Sequence, residues 1–110
     1  MVKVAAASTD GKVINCHFGR ADHFLIFEMT SDGFEYVETR EMHPCCNQGM
    51  HEDNAFENAA KVLADCKIIL ISKIGIPAAN FLESRGFEVY ESPFPIHSVL
   101  EKLIQEMEVL

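Results

Sequence analysis

The chain has 110 residues, of which 48% are apolar and 24% are charged, and it carries a formal net charge of −8. Such a composition is typical of one globular domain, which at this length can bury a core without covalent staples. The acidic charge disfavours nonspecific binding to nucleic acid, and no apolar run approaches the ~20 residues that a membrane-spanning helix requires. We therefore expect a single cytoplasmic domain over residues 1–110 that binds neither nucleic acid nor membrane.

The first half of the chain predicts three strands. Residues 2–7 are almost wholly apolar and end at a turn-forming triplet, so we interpret them as a first strand and not as an export signal. A second strand contains residues 24–27, and residues 34–42 alternate as a third. The turn signal Ser31-Asp32-Gly33 between the last two predicts a hairpin.

Two helices of the second half are predicted by the same signal. Asn54 and Glu57 have the spacing of a capping box, in which each side chain accepts a backbone N–H at the start of a helix. Ser98 and Glu101 repeat that spacing near the end of the chain. Apolar residues then recur at intervals of three and four, which predicts one buried face on each helix.

The segment between these two helices predicts a strand, a helix and another strand. Residues 67–72 are almost continuously apolar, which indicates the centre of a sheet covered on both faces. A helix should begin near Pro77 and end at Gly86, and residues 87–90 should form the next strand. The sequence therefore predicts an α/β domain with a five-stranded mixed sheet and helices on both faces.

A first candidate site lies between the first two strands. The chain has four cysteines and no evident export signal, so we expect reduced thiols of the kind that bind metal or do redox chemistry. Cys16, His17, Gly19 and Arg20 place a thiol, an imidazole, a flexible backbone and a guanidinium together, which suits a soft metal or an anionic cluster. The alternative is structural, with Phe18 filling the core, Gly19 turning the chain and Cys16 buried as a small residue.

A second candidate site follows the third strand. His43, Cys45, Cys46, Met50 and His51 place two thiols, two imidazoles and a thioether within nine residues. Adjacent cysteines rarely both reach one tetrahedral ion, and the spacing is not that of a zinc finger. A reversible disulfide between the two cysteines, or a loop with only a structural role, are the alternatives.

The remaining candidates are weaker. Cys66 precedes the central apolar strand and is best explained as a small buried side chain. Gly75 belongs to the segment 72–77, which leaves that strand and enters a helix, where unpaired N–H groups favour an anion. The sequence has no nucleophile elbow and no evident carboxylate cluster for a two-metal nuclease, so we predict no catalytic residue and no enzymatic activity.

These stretches resemble the dinitrogenase iron–molybdenum cofactor biosynthesis family, which includes NifX and the C-terminal domain of NifB. The resemblance covers nearly the whole chain. It rests on three anchors, which occur in this order: His17-Phe18-Gly19-Arg20-Ala21, Cys46-Asn47-Gln48-Gly49 and residues 63–75 with the sequence LADCKIILISKIG. The strand Gly86-Phe87-Glu88-Val89 follows them at the right distance.

The resemblance implies a ribonuclease H-like three-layer fold and a non-catalytic role. Proteins of this kind bind and carry an iron–sulfur or iron–molybdenum cofactor precursor between cluster donor and acceptor proteins. Residue by residue, the family motif matches His17 and Cys46 as binding positions, and Cys66 as a core residue. The family motif does not contain four further donors of the two candidate sites, which are Cys16, His43, Cys45 and Met50.

Residues and resemblance together give one set of predicted site residues. The predicted cofactor-binding residues are Cys16, His17, Gly19, Arg20 and Gly75, and the predicted metal ligands are His17, His43, Cys45, Cys46 and His51. We expect a monomer or a weak homo-oligomer. The alternative function is a redox or metal-sensing interaction module in which the Cys45-Cys46 pair changes state. A nuclease ranks third because the ribonuclease H carboxylates are absent.

Overall fold

The computed structural model describes residues 2–18, 23–41 and 52–109. Five strands and three helices are assigned within these ranges. They are β1 (Val2–Ala6), β2 (His23–Thr30), β3 (Gly33–Glu41), α1 (Glu52–Val62), β4 (Ile68–Ile71), α2 (Ile76–Ser84), β5 (Glu88–Glu91) and α3 (Ile96–Val109). No helix within the described ranges is long and apolar enough to cross a membrane.

The five strands form one mixed sheet in the order β3-β2-β1-β4-β5. β1 pairs in parallel with β4, and β4 in parallel with β5, whereas β2 runs antiparallel to both β1 and β3. β2 is therefore the one strand of this sheet that runs opposite to the rest. The predicted mixed five-stranded sheet and the β2–β3 hairpin are confirmed.

Helices cover both faces of the sheet because the two central strands are apolar on both sides. Ala5, Ile69 and Ile71 pack on one face with residues of α1 and α2, including Ala59 and Leu82. The opposite face of the same strands packs against α3 through a second cluster of buried residues: Val4, Ala6, Ile68, Leu70, Ile96, Leu100 and Ile104. The continuous apolar run of β4 correctly predicted this burial on both faces.

β3 differs from the regular alternation that the sequence predicts. Residues 35–39 are exposed one after another. The pairing register with β2 shifts by one residue, because Ile26 lies opposite Glu38 and Phe27 opposite Tyr36. Val37 is thus an extra residue, a β-bulge that redirects the side chains on either side of it. As a terminal strand of the sheet, β3 packs against the core mainly through its first residues.

Two of the predicted helix starts are wrong by three residues, because caps at Asn54 and Ser98 predict first helical residues at 55 and 99. α1 begins at Glu52 and α3 at Ile96, so Asn54 and Ser98 lie inside their helices and do not cap them. For α3 the reason is tertiary, because the Ile96 N–H donates to the Lys12 carbonyl at 2.9 Å and the Ile96 side chain is buried. α2 begins as predicted, with Pro77 in its first turn, and Gly86 follows it with φ +95°.

A charged cluster joins the hairpin, the first strand and the end of α1. Both oxygens of Asp65 are engaged: the Arg40 guanidinium donates to Oδ1 and, at 2.8 Å, to Oδ2, and Lys3 Nζ donates to Oδ2 at 2.9 Å. Arg40 also donates to the Val62 carbonyl at 2.9 Å, in the last turn of α1. Hydrogen bonds from Arg40 and then Lys3 hold the pKa of Asp65 well below its usual range, and the contact raises the pKa of Lys3.

We expect Asp65→Asn to lower the free energy of unfolding at pH 7 by about 0.5–1 kcal/mol, because the Asp65 side chain is 46% exposed and solvent screens the interaction. A depressed pKa stabilises the folded state above the unfolded value of about 3.9, and this stabilisation is lost as pH falls below it. The difference between wild type and variant should therefore shrink in urea unfolding below about pH 4. Asp32→Asn, in the hairpin turn, is the control. A difference that does not change with pH would contradict the linkage.

Candidate functional site

The candidate site lies where the parallel strands β1, β4 and β5 end, which we call the carboxyl edge of the sheet. In open α/β sheets this edge is where ligands usually bind, because loops and helix starts converge there. The chain leaves β1 at this edge and later leaves β4 there toward α2. β2 begins at the same edge, since its antiparallel pairing places Leu25 opposite Ala6.

Residues 16–18 form a short extension of the sheet at this edge. The Ser72 N–H donates to the Cys16 carbonyl at 3.0 Å, and the Phe18 N–H donates to the Lys73 carbonyl at 2.9 Å. His17 pairs with Lys73 as an isolated parallel bridge. On the other side, the Cys16 N–H donates to the Ala7 carbonyl at 3.4 Å. Cys16 and His17, the described residues of the first predicted cluster, are therefore held between the ends of β1 and β4.

The side chains of this segment alternate between core and surface. Phe18 is 1% exposed and packs with the α1 and α2 face, whereas His17 is exposed and Cys16 is half-buried against the same core cluster. The Cys16 Sγ donates to Asn15 Oδ1 at 3.5 Å. The structural interpretation is thus correct for Phe18, while Cys16 and His17 present their donor atoms at or near the surface.

Asn15 fixes the start of the segment. Its Oδ1 accepts the Thr9 N–H at 2.9 Å, and its Nδ2 donates to Thr9 Oγ1 at 2.8 Å. The turn that precedes it is closed by Asp10, whose Oδ1 accepts the Lys12 and Val13 N–H groups at 2.8 and 3.1 Å. These bonds lower the pKa of Asp10. The loop from β1 to Cys16 is therefore ordered by its own polar side chains.

Gly75 lies at the same edge, as the N-cap of α2. Its backbone is extended, with φ −72° and ψ 155°, and no side chain caps the helix there. A Cβ at this position would meet only Pro77 Cδ, at the ordinary distance of 3.8 Å, so neither conformation nor space requires glycine. The uncapped N–H groups and the exposed Lys73 place positive charge at this part of the edge, next to the Glu91 carboxylate that accepts the Ile74 N–H.

The chain enters the second predicted cluster from the carboxyl edge as well. β3 runs to Glu41, which pairs with His23 at the start of β2. Six of the predicted site residues lie outside the described residues: Gly19, Arg20, His43, Cys45, Cys46 and His51. The structure therefore brings together Cys16, His17 and Gly75, and the other six stay predictions.

Cys66 is separated from this site, as the sequence predicts. It is 6% exposed, belongs to the core cluster with α1 and α2, and precedes the amino end of β4. Burial raises the pKa of its thiol to about 11, and the neighbouring Asp65 carboxylate adds to the effect. A thiol that stays protonated is a poor metal ligand. Neither Cys16 nor Cys66 is in a disulfide.

The described part of the chain contains no group of three or more His, Cys, Asp or Glu side chains placed to hold one metal ion. Lys73 and Glu91 are edge residues that the predicted set omits. Lys73 is paired to His17, and Glu91 Oε2 accepts the Ile74 N–H at 2.8 Å. Lys73 lies in the segment 72–77 that the sequence indicated for an anion, whereas nothing in the sequence connects Glu91 to residue 74.

A family model described as dinitrogenase iron–molybdenum cofactor matches residues 1–106. Among curated relatives, the chain is 33% identical over 110 residues to the FeMo cofactor biosynthesis protein NifB of Frankia alni, with 97% of this chain and 21% of that protein covered. It is 29% identical over 82 residues to protein NifX of Sinorhizobium fredii, with 71% of this chain and 51% of that protein covered. The chain therefore spans about a fifth of the NifB length and about half of NifX.

Solved structures share the fold at lower identity. The crystal structure of PH0822 superposes with a TM-score of 0.69 at 24% identity, covering 96% of this chain and 90% of that one. The apo form of the orange protein from Desulfovibrio gigas gives a TM-score of 0.64 at 20% identity, covering 96% and 89%. These likenesses support the same α/β architecture. With the family model matching almost from end to end, the chain belongs to the dinitrogenase iron–molybdenum cofactor family.

Proposed function

We propose that this domain binds an iron–sulfur or iron–molybdenum cofactor precursor at the carboxyl edge and carries it between assembly proteins, without catalysing a reaction. The observation that carries the proposal is the pairing of Cys16–Phe18 with Ser72–Lys73, which places a thiol and an imidazole beside the start of α2. The family is named for the iron–molybdenum cofactor, and this name supports a precursor of that cofactor as the ligand of the thiol and the imidazole.

The chemistry of the edge suits such a cargo. Thiolate and imidazole are ligands that iron–sulfur clusters accept, and clusters with thiolate ligands are anionic. The Lys73 ammonium and the uncapped start of α2 would offset that charge. His17 and Cys16 can serve only part of a cluster, so we propose that His43, Cys45, Cys46 and His51 supply further ligands, with Gly19 and Arg20 beside them.

The relatives indicate the pathway and the partners. NifB is named for FeMo cofactor biosynthesis, and we propose that cluster donor and acceptor proteins of such a biosynthetic pathway, in the cytoplasm, exchange cargo with this domain.

The three-layer arrangement, with β2 alone reversed in a five-stranded sheet, supports the ribonuclease H-like label for the fold. A carrier must release its cargo, and a site at an exposed edge of the sheet favours release.

Reconstitution with iron and sulfide without oxygen, with and without molybdate, tests the proposal. The wild-type domain should retain iron after desalting and show a charge-transfer spectrum, and the double variant His17→Ala, Cys46→Ala should retain at least ~10-fold less because it lacks both family ligands. His97→Ala is the matched control, since His97 is an exposed histidine at the start of α3 beside the Phe34 ring. Equal retention in the double variant and the wild type would contradict the site.

The same preparations separate the carrier from a redox sensor. If the wild type takes up no iron under any condition, and thiol titration shows a reversible Cys45-Cys46 disulfide in air, the sensor function replaces the carrier function. Uptake of iron with both thiols reduced supports the carrier.

Alkylation of native protein should distinguish the two described cysteines. Cys16 should react with iodoacetamide at pH 7.5, whereas Cys66 should stay unmodified because it is buried and its thiol has a pKa of about 11. Mass spectrometry of peptides gives the extent at each site, and unfolding in urea should abolish the difference. Loading with iron and sulfide should protect Cys16 if it is a ligand. Rapid modification of Cys66 in the folded protein would contradict its burial.

A further inference from the structure

The segment that carries Lys73 is held from two sides at the carboxyl edge. On one side, the backbone of residues 16–18 bonds to Ser72 and Lys73. On the other side, β5 follows β4 only as far as the Ser92 N–H, which donates to the Ile71 carbonyl at 2.8 Å. The next donor in this alternation, the Phe94 N–H, bonds back to the Ser92 carbonyl at 2.7 Å, so the backbone ladder between the two strands ends there.

Beyond the end of that ladder, a side chain supplies the missing acceptor. Glu91 Oε2 accepts the Ile74 N–H at 2.8 Å, and Glu91 is the last residue of β5. Ile74 lies between Lys73, which pairs with His17, and Gly75, the N-cap of α2. One carboxylate therefore fastens the point at which β4 turns into α2.

The bond itself lies at the surface, although the Ile74 side chain is half-buried against the core cluster with α1 and α2. Glu91 is exposed, and it bonds only to the Ile74 backbone N–H in this segment. Without the carboxylate, the Ile74 N–H can bond to water, while the buried residues of β4 and α2 keep their packing. What the bond restricts is the position of residues 73–75 relative to β5, and through the Phe18 N–H to Lys73 carbonyl bond, the position of His17.

We propose that Glu91 is a positioning residue for the carboxyl edge: its carboxylate holds residues 73–75 in place and thereby aligns His17 for the cargo. The inference rests on the proposed function for the identity of the cargo, but the alignment is a property of the cargo-free protein. Groups that orient a ligand residue without touching the metal commonly change metal affinity by ~10–100-fold.

The test compares Glu91→Ala with Glu91→Gln, whose amide oxygen can still accept the Ile74 N–H. In cargo-free protein, hydrogen exchange by NMR should be faster at the Ile74 and Phe18 amides in Glu91→Ala and near the wild-type rate in Glu91→Gln. After reconstitution with iron and sulfide, Glu91→Ala should retain about 10-fold less iron than the wild type. Glu91→Gln should retain most of the iron that the wild type retains.

Glu88→Ala is the matched control, because Glu88 is an exposed glutamate at the opposite end of the same strand and its loss changes the net charge equally. It should leave both readouts unchanged, and all variants should keep the wild-type circular dichroism. Unchanged exchange and retention in Glu91→Ala would overturn the inference, as would an equal loss in Glu91→Gln or Glu88→Ala. If the wild type retains no iron while Glu91→Ala still accelerates exchange, the carrier function fails and the positioning role of Glu91 stands.

Discussion

The short backbone pairing of residues 16–18 with residues 72–73 is the contact on which the candidate site depends. Without it, Cys16 and His17 would be held only from the β1 side, through Asn15 and the Cys16 N–H to Ala7 carbonyl bond. The pairing is secured mainly by Phe18, which is 1% exposed. Burying a Phe side chain is typically worth ~1.5–3 kcal/mol, whereas each backbone hydrogen bond contributes about 1 kcal/mol net. The position of His17 at the surface therefore follows from the burial of its neighbour.

The reversed direction of β2 explains why several segments meet at one edge. Because β1, β4 and β5 run parallel, their exits lie on the same side, and the antiparallel β2 brings His23 to that side too. β3 then returns the chain to it at Glu41, before the donor-rich stretch of residues 43–51. Topology alone thus directs two segments rich in thiol and imidazole toward the same end of the sheet.

The elements of the fold could be predicted from the sequence because local signals and burial agree along most of the chain. The apolar run of β4, the Pro77 start of α2 and the glycine after it are all where the pattern places them. Predictions were wrong where tertiary contacts decide, as at Ile96, whose N–H bonds to Lys12 and extends α3 backward. The bulge at Val37 likewise depends on the partner strand and has no signal of its own.

The candidate site was predictable in part for the same reason. Residue chemistry and family resemblance indicated Cys16, His17 and the segment that ends at Gly75, all of which lie at the carboxyl edge. Glu91 could not be found in this way, because a glutamate on a terminal strand has no pattern that connects it to a backbone amide 17 residues earlier. The distribution of charge bears on how tightly cargo is held. In a chain of net charge −8, Lys3, Arg40 and Arg85 are already paired with Asp65, Glu38 and Glu57. On the proposal that the cargo is an anionic cluster, Lys73 and the start of α2 would offset its charge within the described part of the edge, next to the Glu91 carboxylate, and this balance favours modest affinity and ready transfer.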